Sequence, residues 1–294
     1  MNVAITGSRG NLGSVLSASM DQSKFKVFAI PSEFYRPDFQ SNNLYDFLTE
    51  NNISALIHCA SLTNVDFSEA HREIAYDSNV SLTKKLSDLA ASLDVKMVFI
   101  SSAGVYGSNS YSQDGPNGES SDAYPLNHYH STKLKAELAV SASSINSLTL
   151  RVGWLFGTRS PSGKDFVLAR IQEMAKLETT DEYYSNFEQF GNPTSCEYLA
   201  ETIGSLLVSD ISGTINCVND GAVSRYEFIR RIKEICGFEF KLVGKPDAFF
   251  PRVATVPLNE AGDTSKLASH ANTRHWDEYL VQYCQKLRKD EWRV

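Results

Sequence analysis

No apolar run in this 294-residue sequence is long enough to cross a bilayer, which takes roughly 20 consecutive apolar residues. Nothing near Met1 resembles a signal peptide, because Asn2-Val3-Ala4-Ile5 follows at once as an alternating strand, so the expected location is the cytoplasm. Cysteine is scarce and scattered. Cys59, Cys196, Cys217, Cys236 and Cys284 are odd in number and contain no Cys-x-x-Cys pair, which argues against a disulfide framework and for reduced thiols. The histidines show no metal-ligand spacing, and no metal site is expected. Positive charge is short as well: 28 Lys and Arg against 35 Asp and Glu leave a net charge of −7, with no basic stripe to neutralise a nucleic acid. Internal repeats and low-complexity segments are missing. With 42% hydrophobic residues, the chain can fill one large core or two unequal ones.

What is present is an alternation of short apolar strands with helical segments. Val3 to Thr6 is a strand that stops at Gly7-Ser8-Arg9-Gly10-Asn11-Leu12-Gly13, and Ser14 to Met20 reads as a helix. Strand, glycine turn and helix in that order make a phosphate cradle. Gly7 allows the tight turn, Gly10 lets backbone N–H groups approach a pyrophosphate, and Gly13 lets the helix pack closely on the strand. The second strand, Phe25 to Ile30, leads into Pro31-Ser32, where a NAD enzyme usually places an acidic residue for the ribose hydroxyls. Glu33 falls too late, and Ser32 with Arg36 could accommodate a 2′-phosphate, which favours NADPH over NADH. Asp38-Phe39 begin the next segment, and a helix from Asn43 to Glu50 precedes the strand Ala55 to His58. Cys59-Ala60-Ser61 then suit either the passage of a cofactor backbone or close strand packing.

Val95 to Ile100 is strongly apolar, with Lys96 its one charge, as a strand covered on both faces of a parallel sheet requires. It delivers Ser101-Ser102 at its carboxyl end, the edge of an open α/β sheet where ligands bind. Gly107 to Asn127 is polar and rich in Gly, Ser, Asn and Pro, a surface loop suited to act as a lid. Leu148 to Val152 is another strand, after which strict alternation is lost. Helices are expected at Lys164 to Lys176, Glu197 to Val208 and Ser224 to Gly237, with a late strand at Gly213 to Val218. The expected fold class is α/β: a Rossmann-type doubly wound parallel sheet with a smaller mixed α/β C-terminal substrate lobe. Residues 1–157 plus about 192–218 would form the dinucleotide-binding part, and about 158–191 plus 219–294 the lobe.

Between the loop and the Leu148 strand lies Tyr129-His130-Ser131-Thr132-Lys133, at the start of a segment rich in helix formers. Tyr129 and Lys133 are four residues apart, hence one turn apart on one helix face. A tyrosine is a poor acid or base at neutral pH, with a pKa near ~10. An ammonium beside it favours the phenolate, so Lys133 is expected to lower the pKa of Tyr129. Ser102 could donate to a substrate carbonyl oxygen while Tyr129 moves the proton.

On these residues the chain resembles the extended short-chain dehydrogenase/reductase family, and within it the dTDP-4-dehydrorhamnose reductase group. Thr6-Gly7-x-x-Gly10-x-x-Gly13 matches the family's cofactor turn, and Ser102, Tyr129 and Lys133 fall where its catalytic residues stand. Thr63-Asn64-Val65-Asp66 with Glu69, Ala75 and Asn79, then Arg151 to Gly157, Gly191 to Ser195 and Asp263 to Leu267, are similar to that group's own segments. Two places depart from its pattern. Ala103-Gly104-Val105-Tyr106-Gly107 is closer to nucleotide-sugar epimerases and dehydratases, and Arg252 to Asn259 lacks the group's Arg-Pro-x-x-Ser.

The resemblance implies that Gly7, Arg9, Gly10, Asn11, Leu12, Gly13, Ser32, Asp38, Phe39, Cys59, Ala60, Ser61, Thr63, Tyr129 and Lys133 hold NADPH or NADH. It implies that Val65, Ser102, Ala103 and Trp154 meet a nucleotide-sugar substrate, and it allows a homodimer. The implied activity is reduction of the C4 keto group of a nucleotide-linked 4-keto-6-deoxyhexose. An epimerase with retained NAD is the alternative, and a non-catalytic nucleotide-binding regulatory subunit is the second.

Overall fold

The structure, a computed structural model, describes residues 1–36, 41–143, 146–158 and 165–287. The N-terminal half alternates β1 (Asn2–Thr6), α1 (Asn11–Ser19), β2 (Lys26–Ala29), α2 (Ser41–Glu50) and β3 (Ala55–His58). It continues through α3 (Val65–Ala70), α4 (Arg72–Tyr76), α5 (Leu82–Ser92), β4 (Lys96–Ser102), α6 (Tyr111–Asp114), α7 (His128–Ser143) and β5 (Leu148–Val152). Then come β6 (Trp154–Phe156), α8 (Phe166–Met174), β7 (Glu182–Asn186), β8 (Phe190–Gly191), β9 (Pro193–Ser195), α9 (Cys196–Leu207) and β10 (Gly213–Asn216). The chain closes with β11 (Val223–Ser224), α10 (Arg225–Cys236), β12 (Lys241–Lys245), β13 (Asn259–Glu260), α11 (Ser265–Ala268) and α12 (Trp276–Lys286).

Six strands form one parallel sheet in the order β10-β5-β4-β3-β1-β2. Its two faces follow from the period of two along each strand. Val3, Ile5, Ile57, Val98, Ile100 and Leu150 pack on one side with Leu12 and Leu16 of α1 and Leu199 and Ile203 of α9. Ala4, Leu56, Met97 and Phe99 face the other way, against Leu44 of α2, Leu86 of α5 and Ala136 and Val140 of α7. Burial on both faces is why these strands read as continuous apolar runs. After β1 the chain turns outward to β2 and then returns to place β3 on the other side of β1, so a crevice opens between the carboxyl ends of β1 and β3.

The remaining strands make small sheets: β6 with β9, β7 with β12, and β8 between β11 and β13. The expected helix at Ser224 to Gly237 is α10, closed by a reciprocal Ser224–Glu227 capping box and by Gly237 at φ +70°. The 107–127 segment differs from the expected lid. It contains α6 and is tied down by polar side chains: Asn117 Nδ2 donates to the Ala261 carbonyl (2.8 Å), Asn216 Nδ2 to the Asn117 carbonyl (2.8 Å) and Asn259 Nδ2 to the Gly115 carbonyl (2.8 Å). It is a strap fastened by three asparagines. Asn117 itself is buried.

Candidate active site

At the crevice the backbone of the first turn is crowded enough to require glycine. Gly7 has φ +67°, and a Cβ there would lie 2.7 Å from the Ala60 nitrogen; a Cβ on Gly13 would lie 2.1 Å from the Gly7 carbonyl oxygen. Gly10 caps α1 without any side-chain hydrogen bond, and no acidic residue sits in the first turn of that helix. Its leading N–H groups are therefore suited to an anion. The Gly7 N–H donates to the Tyr35 hydroxyl (3.0 Å), which fastens the turn to the segment after β2.

Below the turn, the carboxyl ends of β1 and β3 are joined by a buried histidine. Thr83 Oγ1 donates to the Asn79 carbonyl (2.6 Å), so it accepts from His58 Nε2 (3.0 Å), and His58 Nδ1 in turn accepts from Thr6 Oγ1 (2.7 Å). Burial pushes the His58 pKa down to about 3, and the nearby Lys133 charge adds to that. His58 is a satisfied, neutral core residue. Asn79 holds the next stretch of wall: its Oδ1 accepts from Ser61 Oγ (2.9 Å) and the Leu62 N–H (2.8 Å), while its Nδ2 donates to Thr132 Oγ1 of α7 (3.0 Å).

On α7, Tyr129, Lys133 and Glu137 recur every four residues and share one face. Glu137, 6% exposed, accepts from Ser101 Oγ (2.5 Å) and from Arg151 Nη2 (2.8 Å). One carboxylate thus ties the helix to β4 and β5. Ser101 is consumed in that contact, whereas Ser102 caps the following turn by accepting from the Gly104 N–H (3.2 Å), which leaves its own proton available. The cleft so formed has a volume of about 410 Å³ and is lined by Gly7, Gly10, Asn11, Leu12, Gly13, Cys59, Ser61, Thr63, Ser102, Tyr129 and Lys133. Sequence reasoning named all of these. It missed the apolar lining from Ile100, Val152 and Leu155, which a strand's carboxyl edge signals only once the strand order is known.

Other expected contacts lie elsewhere. Arg9 and Ser32 are exposed and outside the cleft wall, Ala60 and Val65 do not line it, and Ala103 is buried at 1% exposure in the turn after β4. Asp38 and Phe39 fall outside the described residues. Trp154 is buried behind the cleft, its Nε1 donating to Glu260 Oε2 (2.6 Å) and its ring lying under the Arg225 guanidinium at 3.4 Å. Glu260 also accepts from Gln189 Nε2 (3.3 Å) and faces His130 Nε2 at 3.8 Å.

The expected tuning of Tyr129 by Lys133 is not what the site shows. Burial, followed by the Glu260 carboxylate, pushes the Tyr129 pKa up rather than down. Burial likewise brings Lys133 down to about 7, only partly offset by Glu137 and the Cys59 thiol, with its ammonium 4.2 Å from the centre of the Phe99 ring. Desolvation disfavours the charged form of both groups.

This gives a stability prediction. Lys133 in the folded chain releases its proton near 7, but in the unfolded chain only near the usual 10.5, so the unfolded state binds more protons between those values. Its burial cost is full below about pH 7 and fades as pH rises toward 10.5. Lys133→Met should therefore be more stable than the parent at pH 6.5, with the advantage shrinking by pH 9.5. Urea midpoints at both pH values check it; a constant difference would refute it.

The profile of the RmlD substrate binding domain matches residues 1–289. The chain belongs to that family. It is similar to the dTDP-4-dehydrorhamnose reductase of Mycobacterium tuberculosis, at 27% identity over 288 residues, which is 95% of this chain and 91% of that protein. It is also similar to methionine adenosyltransferase 2 subunit beta of Bos taurus, at 28% identity over 76% of this chain and 69% of that protein. Among solved structures, the dTDP-4-dehydrorhamnose reductase of Bacillus anthracis in complex with NADP superposes with a TM-score of 0.88 at 22% identity, covering 97% of this chain and 99% of that one. The doubly wound parallel sheet expected from the sequence is the fold this family member has.

Proposed function

We propose that the chain is an NADPH-dependent reductase of the C4 keto group of a nucleotide-linked 4-keto-6-deoxyhexose. The observation that carries this reading is the convergence of the glycine turn, Ser102, Tyr129 and Lys133 on one cleft at the sheet's switch point. The residues present fit the cofactor. Gly7 and Gly13 let the turn pack against Ala60 and the start of α1 pack against the turn, the uncapped start of α1 suits a pyrophosphate, and the turn after β2 carries exposed Ser32 and Arg36 for a 2′-phosphate.

Bound there, the reduced nicotinamide supplies a hydride to the keto carbon. The chain's own work is to hold the carbonyl and deliver a proton. Ser102 Oγ, with its proton free, donates to the carbonyl oxygen. Tyr129, kept protonated by its surroundings, gives its proton to the oxygen as negative charge develops, and Lys133, lining the same cleft, would hold the cofactor ribose.

The test is oxidation of NADPH and of NADH by the purified protein with a dTDP-4-keto-6-deoxy sugar, followed by product analysis. Stoichiometric consumption with a new deoxysugar, faster with NADPH, is expected. A second reading, a non-catalytic regulatory subunit, is favoured by the similarity to methionine adenosyltransferase 2 subunit beta. Cofactor binding without consumption on any keto sugar would replace the first reading by the second.

A further inference from the structure

Away from the cleft, α10 and α12 pack along a seam that keeps one register. Phe228 meets Trp276 edge-on with ring centres 5.5 Å apart, and Arg231 grips Asp277 with two hydrogen bonds, from Nε at 2.6 Å and from Nη2 at 2.9 Å. Cys236 lies eight residues on from Phe228, and Cys284 lies eight residues on from Trp276. Ile232 and Leu280, both fully buried, stand half way along. Each helix advances about 12 Å over eight residues, so the register set at Phe228 and Trp276 brings the two sulfurs face to face at the far end. There the two thiols are hydrogen-bonded to each other.

The two sulfurs are not equivalent. Cys284 is 5% exposed, whereas Cys236, in the last turn of α10, is only half-buried. Cys284 donates the hydrogen bond, and Cys236 accepts it on the side nearer solvent. That bond draws the Cys236 pKa below its ordinary value against the opposing effect of burial, while the same bond and burial push Cys284 up. The other thiols move only one way. Burial pushes Cys59 and Cys217 up to about 12 and raises Cys196 as well. A reachable sulfur with a lowered pKa, backed by a second sulfur within bonding range, is the arrangement that oxidants select.

The geometry points to Cys236 and Cys284 as a thiol pair that a hydroperoxide converts into a disulfide, locking the end of α10 to α12. In the first step the Cys236 sulfur attacks the terminal oxygen of the peroxide. The O–O bond breaks, water or an alcohol leaves, and Cys236 becomes a sulfenic acid. In the second, the Cys284 sulfur attacks that sulfur, and its proton departs with the sulfenic oxygen as water. Two thiols have then lost two electrons and the peroxide has gained them; a dithiol reverses the change. The bond closes a loop that contains β12, β13 and α11, so it restricts the unfolded chain more than the folded one. None of this depends on whether the chain reduces a keto sugar.

The experiment is titration of the reduced full chain with hydrogen peroxide, followed by thiol counting, peptide mapping without reductant and urea unfolding. Free thiols should fall from five to three, with one cross-linked pair of peptides carrying Cys236 and Cys284. The urea midpoint should rise on oxidation, and dithiothreitol should restore both the thiol count and the midpoint. In Cys284→Ser the sulfenic acid has no sulfur to meet, so dimedone should label Cys236, at least tenfold faster than it labels Cys59. In Cys236→Ser dimedone should leave Cys284 unlabelled. Parent-like NADPH binding by both variants shows that they are folded. Oxidation of Cys59 ahead of any cross-link, or an oxidised chain with an unchanged urea midpoint, would overturn the assignment. So would dimedone labelling of Cys284 in Cys236→Ser as fast as that of Cys236 in Cys284→Ser.

Discussion

Tyr129→Phe should lower turnover by about 10²- to 10⁴-fold, the usual contribution of a positioned general acid, and leave cofactor affinity unchanged. The change removes one oxygen and keeps the ring that packs 5.0 Å from His130, so the cleft wall survives. What is lost is a proton donor at the point where the carbonyl oxygen gains charge. Because burial and Glu260 hold Tyr129 above the ordinary phenol range, the donor form persists through neutral pH. The parent's reduction rate should then show no loss from tyrosine ionisation between pH 6 and 9. Single-turnover NADPH oxidation across that range, with cofactor binding measured by fluorescence, tests both parts. A Tyr129→Phe enzyme within about tenfold of the parent, below the span expected of a general acid, would place the proton donor elsewhere.

The sequence carried the parts of this site whose geometry is local. Gly7, Gly10 and Gly13 sit within one turn, and Tyr129 and Lys133 within one helical turn, so spacing alone brought them together. Ser102 was legible because an apolar strand ends there. The second layer was not. Glu260 meets Trp154 across 106 residues, and Arg225 reaches the same ring from the start of α10. β8, β11 and β13, which bring these residues together, are two residues long and leave no periodic signal. The direction of the Tyr129 shift is hidden from the sequence for the same reason. Proximity of Lys133 is written in the i, i+4 spacing, but the loss of solvent around both groups depends on the whole cleft. The strap at 107–127 shows a third case: its Gly, Ser and Asn content reads as a free loop, yet asparagine side chains at 117, 216 and 259 bind it into the fold.

Glu137 is the residue on which positioning and stability meet, and its removal should have the largest effect on folding. Its carboxylate receives both Nε (3.1 Å) and Nη2 (2.8 Å) of Arg151 and the hydroxyl of Ser101, all out of solvent. Burial alone would pull the Arg151 pKa down, but the Glu137 bonds more than offset this and hold it above its ordinary value. Arg151 also stacks 4.7 Å from the centre of the Tyr106 ring, and among the described residues its Nη1 has no hydrogen-bond partner. Glu137→Ala therefore leaves a buried cation facing a cavity, and should destabilise the fold by about 3–5 kcal/mol, as removal of one partner from a buried pair typically does. Combining Glu137→Leu with Arg151→Met removes both charges and restores apolar contact. That double variant should recover most of the loss, because the pair's attraction mainly repays its own desolvation. Turnover should not recover with it. Without Glu137 the hydrogen bond from Ser101 to α7 is lost, and with it one polar tie that sets the distance from Tyr129 to Ser102. Urea unfolding of the three variants beside the parent, with NADPH oxidation on each, separates the two roles. A double variant that regains stability and full activity would show that Glu137 only balances Arg151 and positions nothing.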